Sequence, residues 1–388
     1  MPSVSATSKN YSPSRGRPLR IGFLDLIDAA PLIVAHDRDF FDDEGLTVSL
    51  ERQLGWGSIR DRLTFGQLDA AHALLGMPLF SHLSRDRFLE PLVAVMNLGA
   101  GGNAITLSKR LIDAGVRSAT TLADYVRAAP AGADKLILSH VFGCSMHHYL
   151  LRDWLAAGGI DPDRDVSLRI FPPGQLARHL ERGYVDGYCV GEPWNTIAER
   201  AGAGRIVALT SDIVPAHPEK VLAVTRKWAR THESVLVPMI RAILRGCAVC
   251  EDAASAEYLS GLLGRPEYVN TDADAIRQSL RLDVTAHRAG RAADWQARCF
   301  APAATFPSKT HAAWMASQMI RWGQLPDITK TLAIANHCAD STAYRAAAAS
   351  LGISCPTSDF PPMALRNGVF DPAAGAGSAA STSATVPA

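Results

Sequence analysis

Four short segments carry side chains able to bind an anion, and the first of them is the loop from Gly55 to Asp61. It follows a predicted strand and opens a predicted helix, where unpaired backbone N–H groups and the helix dipole favour a negative ion. The Trp56 indole adds an N–H donor and an apolar wall. The alternative is purely structural, with Trp56 in the core and Ser58 capping the helix.

The second segment opens the helix predicted over 145–157. His147 falls in its first turn, beside free amide groups, and can donate a hydrogen bond to an anion. His147 also shares an apolar stripe with Leu151 and Trp154, and a histidine on such a stripe is more often a satisfied core residue. His148 points to a different face of the helix, so the histidine doublet is a poor indication of a metal site.

The third and fourth segments lie at strand ends. Gly191, within 188–195, can expose its N–H to a ligand, and Trp194 can wall a cleft, although a Gly-Glu-Pro turn is also common without any ligand. Lys220, at the end of 217–220, can place a positive charge in the same cleft. A lone lysine, however, is nearly always solvated.

Signatures of catalysis are missing from the sequence. It contains no G-x-S-x-G elbow, no Walker A loop, no G-x-G-x-x-G after a strand and no H-E-x-x-H. Cys247 and Cys250 fall inside a predicted helix, far from any other cysteine pair, which favours core packing over redox or zinc chemistry. We therefore predict a non-catalytic protein with no cofactor and no metal.

Regular elements alternate along the chain and would position these segments. Apolar periodicity and turn signals predict strands and helices in βα order, which is typical of an α/β sheet covered by helices on both faces. The predicted strands are 19–23, 46–50, 70–75, 135–139, 166–171, 187–190 and 221–225, and the predicted helices are 31–41, 58–65, 145–157, 175–182, 234–253, 273–281 and 310–322.

The α/β pattern appears twice and is followed by a mostly helical third segment. At roughly 100–200 residues per domain, a chain of 388 residues is long enough for two domains. We expect lobe I to comprise 18–107 and 208–372, and lobe II to comprise 108–207. Residues 1–17 and 373–388 lack the apolar content that offsets ordering entropy, so we predict disorder there.

Composition excludes several classes of function. The formal net charge is +1, with acidic and basic residues interspersed, so there is no basic stripe for nucleic acid and no polybasic membrane patch. No apolar run reaches the ~18 residues of a membrane-spanning helix. The first 20 residues have no apolar signal-peptide core, and the seven cysteines are an odd, scattered set. These features predict a cytoplasmic location.

Taken together, the motifs resemble the nitrate-binding NrtA/CmpA/NasS family, which has the two-lobed, class II fold of periplasmic binding proteins. The likeness extends from about residue 19 to residue 372 and includes the string Cys-Val-Gly-Glu-Pro-Trp-Asn with His-Pro-Glu-Lys downstream. The matching stretches are 30–35, 56–63, 68–72, 103–107, 154–160, 189–195, 217–220 and 321–323.

This resemblance implies a ligand cleft between the lobes, formed by Trp56, Asn103, His147, Gly191 and Lys220. The family often has glutamine where Asn103 stands, so this side chain would reach less far. The residues flanking His147 also differ from the usual Gly-Gly-Thr-His-Asp loop. Lysine at position 220 implies nitrate or nitrite, whereas an acidic residue there accompanies bicarbonate and a metal.

Within the family, the expected cytoplasmic location favours a NasS-type nitrate/nitrite sensor. Such a sensor holds a NasT-type antiterminator, an RNA-binding partner, until the anion arrives, and lobe closure would couple the two events. The alternative is the solute-binding component of a nitrate ABC transporter. A thiamine-pyrimidine synthase-like enzyme shares the fold, but the cysteine-rich run expected of it is missing. Sulfonate or taurine binding is a further alternative.

Overall fold

The computed structural model describes residues 17–83, 90–215, 217–281, 299–325 and 331–372. The predicted disordered ends lie outside these residues except for Arg17, which contacts Asp69 through two hydrogen bonds of 2.7 and 2.8 Å. Within the described ranges, no helix combines the length and apolar character needed to cross a membrane.

Strands and helices alternate through the first two thirds of the chain, and helices dominate the remainder. The strands are β1 (Leu19–Phe23), β2 (Val48–Arg52), β3 (Ala70–Leu74), β4 (Leu92–Asn97), β5 (Asn103–Ser108), β6 (Ile137–His140), β7 (Ser167–Ile170), β8 (Gly187–Gly191), β9 (Gly204–Leu209), β10 (Lys220–Thr225), β11 (Met363–Leu365) and β12 (Gly368–Phe370). The helices are α1 (Ala30–Asp37), α2 (Phe40–Asp43), α3 (Trp56–Thr64), α4 (Gly76–Leu83), α5 (Lys109–Asp113), α6 (Ala119–Arg127), α7 (Met146–Ala157), α8 (Leu176–Glu181), α9 (Trp194–Arg200), α10 (Arg226–Thr231), α11 (Glu233–Glu251), α12 (Ala256–Leu263), α13 (Ala273–Leu280), α14 (Pro302–Thr305), α15 (Lys309–Arg321), α16 (Thr331–Cys338) and α17 (Thr342–Ser350).

Two five-stranded sheets form the centres of two lobes, which confirms the predicted α/β class. The first sheet has the order β2-β1-β3-β10-β4 and the second the order β7-β6-β8-β5-β9. In each sheet the first three strands are parallel to one another. The fourth strand, β10 or β5, pairs antiparallel with both of its neighbours. The apolar strands β3, β4, β5, β8 and β10 are buried along their whole length, because helices cover both faces of the sheets.

The chain passes between the sheets twice. It leaves the first sheet after β4 and enters the second at Asn103, so the lobe boundary lies at 98–102 and not at the predicted residue 107. It returns between Leu209 and Lys220, close to the predicted boundary at 208. Strand β5 therefore belongs to lobe II, because it pairs with β8 and β9.

The helical third segment packs back on the first lobe. Helix α11 lies against α1, and a Cβ at Gly246 would overlap the carbonyl oxygen of Pro31. Glycine therefore allows the two backbones to approach closely. Cys247 and Cys250 are buried in this helix, as predicted for core residues. All seven cysteines lie in the described residues and are free thiols.

Two local predictions differ from the structure. The helix predicted over 31–41 is interrupted, because Asp39 has a φ of 57° in the left-handed region and divides α1 from α2. Ser58 does not cap α3, since the helix begins two residues earlier and Gly55 occupies the capping position. The Ser58 hydroxyl instead donates to Gln53 Oε1 at 2.7 Å.

Candidate functional site

All five predicted site residues come together where the two sheets face each other. Trp56 begins α3, and Lys220 is the first residue of β10, in lobe I. Asn103 begins β5 and pairs with Gly191 at the end of β8, while His147 lies in the first turn of α7, all in lobe II. Each of the five is buried. The site thus draws on both lobes.

Lys220 is the positive centre of the site, and its side chain is 0% exposed. Its ammonium donates to Asp28 Oδ2 at 2.7 Å and to Glu219 Oε1 at 2.8 Å, and it lies 5.5 Å from the centre of the Trp56 ring. Burial acts to lower the pKa of Lys220, but the carboxylates of Asp28 and Glu219 outweigh it and raise that pKa. The lysine is therefore charged despite complete burial.

Asp28 extends this ion cluster to the neighbouring strand. Its Oδ1 lies 2.9 Å from His72 Nε2, and the His72 ring contacts Trp56 with 5.4 Å between ring centres. Burial acts to raise the pKa of Asp28, yet Lys220 and His72 hold it well below its usual range. Burial lowers the pKa of His72. An ionised Asp28 thus accepts hydrogen bonds from Lys220 and from a neutral imidazole.

Asn103 connects the ion cluster to the second lobe. Its Nδ2 donates to Glu219 Oε2, and its Oδ1 lies 3.0 Å from His147 Nε2. A carboxylate only accepts hydrogen bonds, so this contact fixes the orientation of the Asn103 amide. Gly191 closes the wall beside it, since an added Cβ would lie 3.2 Å from both Asn103 Oδ1 and Leu26 Cδ2.

A second layer holds the backbone of Asn103. The Thr210 hydroxyl donates to the Asn103 carbonyl at 2.9 Å and lies 2.7 Å from His217 Nε2. Burial lowers the pKa of His217; because the Thr210 hydrogen goes to Asn103, His217 Nε2 donates to Thr210, and its Nδ1 lies 3.2 Å from the Pro218 carbonyl oxygen. This chain of contacts positions the first residue of β5 against the lobe I strands.

Two buried nitrogen atoms of the site have no hydrogen-bond partner among the residues that the structure describes. They are Trp56 Nε1 and His147 Nδ1. Trp56 is 1% exposed and His147 is 0% exposed. Because an unpaired buried polar group is costly, these two atoms mark places where a small ligand would find a donor or an acceptor.

The adjacent His148 faces away from the site, as the helical spacing predicts. Its Nδ1 lies 2.9 Å from His140 Nε2, and its Nε2 accepts from Arg152 Nε at 3.0 Å. Burial lowers the pKa of His148 to about 2. Trp194, considered from the sequence as a possible wall of the cleft, donates through its Nε1 to the Asp25 carbonyl at 3.0 Å and so joins the lobes.

Three residues of this cluster were not singled out from the sequence. Asp28 lies next to an apolar stretch typical of ordinary structure, and His72 and Glu219 were noted only as parts of the family-like stretches 68–72 and 217–220. The position of Glu219 directly before a predicted site lysine was the signal that could have identified it. Nothing local distinguishes Asp28, which meets Lys220 across 192 positions of sequence.

Comparisons with known proteins agree with this architecture. Residues 12–264 match the model of the NMT1-like family. The chain is 30% identical over 362 residues to the nitrate/nitrite binding protein NrtA of Synechococcus elongatus, covering 90% of this chain and 82% of that protein. It is also 38% identical over 344 residues to the bicarbonate transport ATP-binding protein CmpC of the same organism, covering 87% of this chain but 50% of CmpC. The chain therefore spans about half the length of CmpC.

Solved structures of binding proteins share the fold of this chain. The crystal structure of the periplasmic nitrate-binding protein NrtA from Synechocystis PCC 6803 superposes with a TM-score of 0.85 at 26% identity, covering 94% of this chain and 98% of that one. The alkanesulfonate-binding protein SsuA from Xanthomonas axonopodis pv. citri, bound to MOPS, has a TM-score of 0.62 at 16% identity and covers 85% of this chain and 100% of that one. The second likeness concerns the fold alone.

Proposed function

The chain belongs to the NMT1-like family, within the group that contains the NrtA nitrate/nitrite binding proteins, and on this basis we propose that it binds nitrate or nitrite between its lobes. The observation that carries the proposal is the convergence of Trp56, His147 and Lys220 at one buried place. Lys220 supplies a full positive charge there. Trp56 Nε1 supplies an uncommitted N–H donor. A compact oxyanion with several acceptor atoms suits these two donors.

The test is a calorimetric titration with nitrate, nitrite, bicarbonate and sulfate. We expect heat with one or both nitrogen oxyanions at millimolar concentration or below. Lys220→Met should weaken binding about 10- to 150-fold, since a hydrogen bond to a charged group contributes about 1.5–3 kcal/mol. Lys109→Met is the matched control, because that lysine is 66% exposed and pairs only with Asp113 on its own helix.

Unchanged affinity in Lys220→Met, with the fold checked by circular dichroism, would remove the lysine from the site. Absence of binding by both nitrogen oxyanions would overturn the proposal. Bicarbonate is the informative competitor, because the CmpC relatives have bicarbonate in their names. Binding of bicarbonate alone would show that the ligand of this site is bicarbonate and not a nitrogen oxyanion.

The physiological role most in keeping with these relatives is that of a solute-binding component of a nitrate import system. The cytoplasmic sensor predicted from the sequence, with a NasT-type partner, stays a prediction, as does the cytoplasmic location. Fractionation of cells that produce the full-length protein separates the two roles. Recovery outside the cytoplasm supports import, whereas cytoplasmic recovery together with nitrate-sensitive capture of an antiterminator supports the sensor.

A further inference from the structure

The net charge of the side chains around Lys220 does not favour the binding of a negative ion. Lys220 contributes one positive charge, while Asp28 and Glu219 each accept a hydrogen bond from its ammonium as carboxylates. The side chains thus sum to one negative charge in a fully buried place. A monoanion would add another, and unpaired buried charge is strongly unfavourable.

The hydrogen bonds also leave a place for a proton. Because Asn103 donates its amide to Glu219, its oxygen faces His147, and His147 must carry its hydrogen on Nε2. The His147 Nδ1 is then an acceptor. It lies 3.7 Å from Glu219 Oε1, so that two acceptor atoms face each other with no hydrogen between them.

We propose, on the basis of the proposed anion-binding function, that the site takes up one proton together with each oxyanion and holds it between His147 Nδ1 and Glu219 Oε1. The proton comes from solvent and returns there when the anion leaves. On Nδ1 it converts an acceptor into a donor for the anion or for Glu219. It also cancels the excess negative charge of the side chains. Proton and anion are therefore co-ligands.

The other titratable groups that face this pair do not compete for the proton. They are Asp28 after β1, His72 on β3, His140 on β6, Cys189 on β8, and His217 and Lys220 at β10. Burial lowers the pKa of the three histidines and raises that of the Cys189 thiol, so all four are neutral near pH 7. Burial and Lys220 also lower the pKa of His147, which an incoming anion would raise again.

The decisive experiment is calorimetric titration of the unaltered protein with sodium nitrate and sodium nitrite in buffers of different ionisation enthalpy. At pH 7, the observed heat plotted against buffer ionisation enthalpy should have a slope of about one proton per anion. Across pH 6 to 8, Kd should rise about tenfold per pH unit. Binding with a zero slope and a constant Kd overturns the proton proposal and leaves anion binding intact. No heat at any pH overturns both.

Glu219→Gln provides the test at the residue level. The variant has lost the excess negative charge, so its Kd should be nearly independent of pH and its proton slope close to zero. Glu233→Gln, at an exposed helix start, should keep the behaviour of the unaltered protein. A full proton slope in a folded Glu219→Gln variant would contradict the assignment to this pair. If Glu219→Gln does not fold, the buffer titration of the unaltered protein decides alone.

Discussion

At the residue scale, the site is governed by how the buried charge of Lys220 is balanced. A lone buried ammonium would lose its proton, but two carboxylates within 2.8 Å keep it charged. Asp28 is in turn held by His72, which is itself completely buried. Removing Lys220 would leave two buried carboxylates without a compensating positive charge. The ion cluster therefore contributes both to the site and to the stability of lobe I.

Asp28→Asn should lower the free energy of unfolding by about 1.5–3 kcal/mol, because a neutral amide replaces the carboxylate that accepts from Lys220 and His72, while Lys220 keeps Glu219. The depressed pKa of Asp28 gives the sign of the pH dependence. Its contribution is present above the unfolded-state pKa of about 4 and is lost as pH falls below it, so the variant and the parent should converge in acid. Urea unfolding at several pH values measures this.

The control is Asp113→Asn, which removes one partner of an exposed ion pair on α5. We expect a change below about 1 kcal/mol there, since solvent screens such pairs. Equal costs for the two substitutions would contradict the central place of Asp28 in the cluster.

Only some residues of the candidate site could be predicted from local sequence, and particular residues show why. Trp56 and His147 stand at predicted helix starts, so their role could be inferred from local geometry, with core packing as the competing interpretation. Asn103 begins a strand that was not predicted, and it was identified only through family resemblance. Asp28 and Glu219 acquire their meaning when the strands that hold them meet, which no local pattern encodes.

At the element scale, α7 serves two functions through consecutive residues. Successive helical positions are rotated by about 100°, so His147 faces the site while His148 faces the cluster with His140 and Arg152. The same helix meets the C-terminal segment through Asp153, whose Oδ1 lies 2.8 Å from Arg321 Nη1 at the end of α15. Helix α7 thus links the candidate site to the part of the chain that returns to lobe I.

Some helices, α7 and α11 among them, could be predicted because apolar periodicity at helical spacing is a local signal. Ser145, predicted as the first residue of that helix, is instead the cap of α7, with its hydroxyl accepting from the His148 backbone N–H. Strands β4 and β5 were not predicted, and no local pattern separates them from the equally buried strands β3, β8 and β10, which were. The crossing between the sheets lies between these two strands, so the boundary was placed too late.

Asp153 gives α7 a measurable pH dependence. Burial raises its pKa to about 6, against the opposing effect of Arg321. Because the folded state holds this proton more tightly, the stabilising contribution is present below about pH 4 and is lost as pH rises through about 6. Relative to the unaltered chain, Asp153→Asn should gain up to about 3 kcal/mol in free energy of unfolding between pH 4 and pH 7.

The comparison variant is Asp163→Asn, on the same lobe. A hydrogen bond from Arg152 lowers the pKa of Asp163, so its contribution has the opposite sign and is lost as pH falls. Chemical denaturation over the same pH range would reveal the two trends. Parallel pH profiles for Asp153→Asn and the unaltered chain would show that Asp153 does not titrate as described.

At the scale of the whole molecule, the two lobes touch at several places around the site. The Trp194 indole donates to the Asp25 carbonyl, and the Tyr149 hydroxyl donates to Gln324 Oε1 at 2.5 Å. Gly76, at the start of α4 in lobe I, also packs closely against the backbone of Cys144 in lobe II, because a Cβ added at Gly76 would overlap the Cys144 carbonyl oxygen. These contacts set the separation of Lys220 from the lobe II residues. Anion affinity should therefore depend on contacts that no ligand touches.

Gly76→Ala tests this dependence. The added Cβ would overlap the Cys144 carbonyl oxygen, and backbone cannot yield as a flexible side chain can, so the lobes must move apart. We expect at least a tenfold weaker affinity for nitrate or nitrite, a larger radius of gyration by small-angle X-ray scattering with the anion present, and little change in secondary structure. Gly143→Ala is the matched control, because a Cβ there meets nothing within 4 Å. If Gly76→Ala binds as tightly as Gly143→Ala, the separation of the lobes does not control the site.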